Sequence, residues 1–73
     1  MIYRFRLNIS SDDYLRYYQA QSRFVQAYTE EGVGIKFPAE HLRPYITHSG
    51  INGLFELEST DQGKFVALRR IDR

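Results

Sequence analysis

The sequence predicts an α+β fold: a small, strongly curved or barrel-like antiparallel β-sheet of about five strands, in the order β-α-β-β-β-β, with one short amphipathic helix after the first strand. Three observations predict it. Apolar and polar residues alternate with a period of two in several short runs. Turn signals at Glu30-Glu31-Gly32, His48-Ser49-Gly50 and Thr60-Asp61-Gln62-Gly63 join those runs by short connections. One stretch, residues 11–20, has helical spacing instead. At 73 residues the chain has room for a single domain, residues 1–73.

Ile2 to Ile9 forms the first strand. Tyr3, Phe5, Leu7 and Ile9 make an apolar face, while Arg4, Arg6 and Asn8 make a wet, basic one. Ser10-Ser11-Asp12-Asp13 then starts a helix. A serine oxygen accepts from free N–H groups of the first turn, and the aspartates sit at the positive end of the dipole. Tyr14, Leu15, Tyr17 and Tyr18 cover an arc of roughly 160° on it. A helix this short needs docking on the sheet.

Arg23 to Thr29 is rich in β-formers, but Phe24 and Tyr28 compete with Val25 and Ala27 for its inward face. A hairpin leads to a third strand, in which Val33, Ile35 and Phe37 alternate with Gly34 and Lys36. Pro38 suits the start of a helical turn, and Pro44 pushes Arg43 out of the α region. That predicts a turn of helix over residues 38–42, then extended chain at 45–47. His48-Ser49-Gly50 closes a hairpin loop with Gly50 in the left-handed region. Ile51, Phe55 and Leu57 share one face of the next strand and Glu56 and Glu58 the other, with Gly53 allowing a bend or close approach on the apolar face. Lys64 to Ile71 is the last strand, and its broken alternation at Phe65, Val66 and Leu68 suggests a bulge or burial on both faces.

So short a chain buries a thin core. There is no cysteine, which removes disulfides and thiolate metal sites, so six tyrosines and five phenylalanines must supply the bulk. The amino terminus lacks the apolar run of a signal peptide, and no run approaches a membrane span. The expectation is a cytoplasmic protein without a membrane segment.

The frame YRFRLNIS, then YLRYY, then IKFPAEHLRPYITHSGINGLF, then KFVALRRI resembles the short bacterial proteins grouped as domain of unknown function 2835. The resemblance covers almost the whole chain. Its most specific part runs from Phe37 through Leu42, Arg43, Pro44, Thr47, Gly50, Ile51 and Gly53 to Phe55. It implies a glycine near position 20, where this chain has Ala20. It implies a small cytosolic bacterial domain and assigns no activity and no site residue.

Candidate sites are few. His41 and His48, seven apart and without cysteine, fall short of a zinc ligand set, and no nucleophile elbow surrounds Ser49. Glu56 and Glu58 read as a wet strand face opposite arginines on a neighbouring strand. No catalytic residue, cofactor or metal is predicted, and the protein is not expected to be an enzyme.

Net charge is +1, but both ends are basic and the middle acidic. If first and last strands meet, Arg4, Arg6, Arg69 and Arg70 form one patch for nucleic acid or another anion, with Arg73 nearby. The stronger expectation is a protein-binding or self-associating module, a homodimer included. The helix carries more aromatic surface than a small sheet covers. Tyr17, Arg43 and Tyr45 are the candidate contacts.

Overall fold

The computed structural model describes residues 1–19 and 23–72. Position 20, where the glycine was expected, and Arg73 lie outside the described residues. The elements are β1 (Ile2–Ile9), α1 (Ser11–Gln19), β2 (Phe24–Tyr28), β3 (Gly34–Pro38), a 3₁₀ helix (Ala39–Tyr45), β4 (Ile51–Ser59) and β5 (Phe65–Arg70).

The five strands are antiparallel, as the alternation predicts, but they do not close into a barrel. They form a three-stranded sheet in the order β1-β4-β5 and a separate β2-β3 hairpin. First and last strands do not pair, because β4 lies between them. Its nine residues match all eight of β1, from Ile2 opposite Glu58 to Ile9 opposite Ile51. Its other edge takes β5.

The inner face of this sheet carries Phe5, Leu7, Ile51, Phe55 and Leu57, all buried. The hairpin packs against it through Val25, Ala27, Ile35 and Phe37. Phe5 lies 5.8 Å from Phe37 and 6.3 Å from Phe55, ring centre to ring centre. Such aromatic contacts fill a small core with few residues. The inward face of β2 is thus settled by pairing: Val25 sits opposite Phe37 and Ala27 opposite Ile35. Phe24 and Tyr28 turn outward, Phe24 under the Lys36 ammonium.

The broken alternation of the last strand is a bulge. Pairing with β4 shifts between Glu58 and Ser59, so Ala67 and Phe65 take successive partners and Val66 is left exposed.

The helical turn after Pro38 runs further than predicted, through Pro44 to Tyr45. With three residues per turn, Ala39, Leu42 and Tyr45 fall on one side. Ala39 and Leu42 are fully buried and Tyr45 packs against the core. That anchoring outweighs the bias Pro44 places on Arg43. A 3₁₀ turn also loses little when one N–H is missing, because its hydrogen bonds are already poor. The extended stretch expected at 45–47 shrinks to a single bridge between Thr47 and Gly50. Gly50 has φ +101, and a Cβ there would come within 2.0 Å of the Ile9 carbonyl oxygen. No side chain is tolerated at that crossing.

Among the described residues, no helix is long and apolar enough to cross a membrane.

Candidate interaction groove beside α1

The helix start forms as its serines and aspartates predict. The Asp13 N–H donates to Ser10 Oγ at 3.1 Å, and the Tyr14 N–H donates to the Ser10 carbonyl. The aromatic arc docks only in part. Tyr14 is 6% exposed, and its hydroxyl donates to the Ala39 carbonyl at 3.0 Å. Burial, then the neighbouring Tyr18 phenol, holds the Tyr14 hydroxyl above the ordinary value of 10.0; Glu40 adds to this and Arg43 opposes it. Tyr18 lies against the core edge, 6.0 Å from Tyr14. Leu15 stays 50% exposed and Tyr17 37%.

The uncovered part opens onto a groove of about 390 Å³ between α1 and the 3₁₀ helix. Buried Tyr14 and half-buried Tyr18 line it together with exposed Leu15, Ile46 and Arg43, and Ser11 and Asp12 complete the lining. A second, shallower trough shares Ser11 and Ile46 and continues past Thr47 to His48. Ile46 is itself 38% exposed.

Arg43 leans over the Tyr18 ring at 5.3 Å, and Arg23 over the same ring at 5.9 Å. Arg23 was not among the sequence candidates. It is the one described residue other than glycine with positive φ, at +56. Its carbonyl accepts the Ala39 N–H at 2.8 Å, which pins it to the start of the 3₁₀ helix. Sequence gives no signal for this, because the conformation follows from packing between hairpin and helix. Tyr45 is not offered to a partner: its ring meets Phe55 edge-on at 5.3 Å, and its hydroxyl donates to the Leu68 carbonyl. With His41 stacked on Phe65 at 3.8 Å, it covers the outer strand β5.

The terminal arginines meet only in part. Arg4, Glu56 and Arg69 stand in one cross-strand row on the outer sheet face. Glu56 accepts from Arg4 Nε at 3.1 Å and from Arg69 Nε at 3.2 Å, and Arg69 Nη2 donates to Glu58 at 2.9 Å. The glutamates thus face arginines of neighbouring strands, as expected. Arg6 shares this face, opposite Leu54. Arg70 does not, because adjacent strand residues point to opposite faces. It pairs with Asp72 at 2.8 Å, over Gly53, and holds that carboxyl below its usual value. A Cβ at Gly53 would meet both groups at 2.8 Å, which is the close approach the glycine permits.

The family model described as protein of unknown function (DUF2835) matches residues 1–71. The chain belongs to that family. No curated protein and no solved structure matches it. Membership of DUF2835 spans both sheets and the groove, and it names no substrate, partner or catalytic residue. Among the described residues, no three histidine, aspartate or glutamate side chains group so as to hold a metal ion.

Proposed function

We propose that the protein is a non-catalytic, cytoplasmic module that works by binding protein, either another chain or a second copy of its own. One observation carries the reading. The groove beside α1 leaves Leu15 and Ile46 open to water next to a buried tyrosine floor, in a chain too small to waste apolar area. Tyr17, on the same helix but outside the groove lining, is a further exposed aromatic side chain.

The test pairs light scattering over a dilution series with cross-linked capture, on wild type and Leu15→Glu. The expected result is a complex that Leu15→Glu removes. A strict monomer that enriches nothing over the variant sinks the reading.

A second reading is weak anion or nucleic-acid binding on the outer sheet face, favoured by the meeting of Arg4 and Arg69 with Arg6 beside them. It is the lesser one, because Glu56 and Glu58 already neutralise that row. Salt-dependent RNA binding lost in Arg4→Glu with Arg69→Glu would favour it.

A further inference from the structure

We infer that the groove beside α1 takes a short acidic–apolar segment of a partner protein, with a carboxylate of that segment on Arg43 beside Tyr18 and its apolar side chains against Leu15 and Ile46. The inference rests on the protein-binding reading above and adds the chemistry of the partner.

Charge selects the partner. Arg4, Arg16, Arg69 and Arg70 each have a carboxylate within 3.3 Å. Among the described arginines only Arg6, Arg23 and Arg43 have none, and of these Arg43 lines the groove while Arg23 and Arg43 both lean over the ring of Tyr18, another lining residue. A guanidinium over an aromatic ring keeps its fork of donors available for a carboxylate.

Shape selects a chain segment over a compact molecule. The groove is open along its length and runs on into the Thr47–His48 trough. Alternate apolar side chains of an extended or helical segment fit such a track.

A second copy fits less well. The chain's exposed acidic–apolar segment away from the groove is the β2–β3 turn, Glu30 and Glu31 between exposed Tyr28 and Val33. That turn lies beside Ile2 and Arg4, at the opposite end of the hairpin from Arg23. Copies docked this way join head to tail and do not close into a dimer.

The test is panning of a random dodecapeptide phage library on the full chain, followed by fluorescence anisotropy of the enriched peptides. The expected consensus places Asp or Glu beside Leu, Ile or Phe. Affinity should fall about tenfold or more in Arg43→Gln, fall further in Arg43→Glu, and weaken with salt. Panning on Arg43→Glu, checked for folding by its thermal melt, should shift the consensus to Lys or Arg. Enriched peptides that lack acid, or that bind Arg43→Glu as well as wild type, overturn the charge rule and leave the protein-binding reading standing. Self-association through the β2–β3 turn overturns the inference in favour of a second copy. No enrichment and no self-association overturn both.

Discussion

On the outer face of the three-stranded sheet, Arg4, Glu56, Arg69 and Glu58 answer one another across three strands. Beneath them Phe5 and Phe55 are fully buried. Beside α1, Arg23 and Arg43 have only the Tyr18 ring, and Leu15 and Ile46 face water. The two regions share one small core but finish their surfaces differently. Strand pairing sets opposite charges side by side at fixed spacing, so this row satisfies itself. Among the described residues the helix docks on the core through Tyr14 and Tyr18 and leaves both charge and apolar area unanswered. Stability should therefore reside in the sheet and recognition in the groove.

The sharpest contrast is between two truncations. Phe55→Ala should cost about 3–5 kcal/mol, enough to leave so small a domain largely unfolded. Leu15→Ala should stay within about 0.5 kcal/mol. Urea denaturation of both reads this, and a large loss in Leu15→Ala would break the contrast.

Tyr14→Phe tests the one firm tie between helix and core, and should cost about 1 kcal/mol through the lost hydrogen bond to Ala39. Because the folded pKa of Tyr14 lies above the unfolded 10.0, its contribution is complete below pH 10.0 and is lost as pH rises through the folded value. Thermal melts between neutral pH and the alkaline limit should therefore fall more steeply for wild type than for Tyr14→Phe.

Glu56→Gln should cost no more than about 1 kcal/mol, because Arg4 is 65% exposed and its pairing is screened. The loss should shrink as salt is added, and melts at low and high salt measure it.

Arg23 is the one position where no loss of stability is expected. Arg23→Gly relieves the positive φ but frees the unfolded chain, so stability should stay level or rise by at most about 1 kcal/mol. Peptide affinity should nevertheless drop. A variant that loses stability and keeps affinity would make Arg23 a structural residue.

Much of the fold is legible in the letters. Period-two alternation gives the first, third and fourth strands, β-forming residues and turn signals give the other two, Ser10 gives the helix start, and Gly50 and Gly53 mark the tight approaches. Closure is not legible, because which strand edges meet depends on contacts far apart in sequence. The same alternation that defines the last strand already separates Arg69 from Arg70, so their sharing of one patch was excluded by geometry present in the sequence. Pro44 misleads for the opposite reason: its local bias is readable, while the burial of Leu42 and Tyr45 that overrides it is not. At the groove, Arg43 stands out in the sequence, whereas the other exposed candidate, Tyr17, is not among the lining residues. Arg23 emerges only once packing turns it toward Tyr18.

Chemical-shift mapping with an enriched peptide tests the central claim most directly. The account predicts that amide shifts gather at Leu15, Tyr18, Arg23, Arg43 and Ile46, with Arg4, Glu56 and Arg69 unmoved. Shifts gathered on the outer sheet face, with α1 silent, would contradict it.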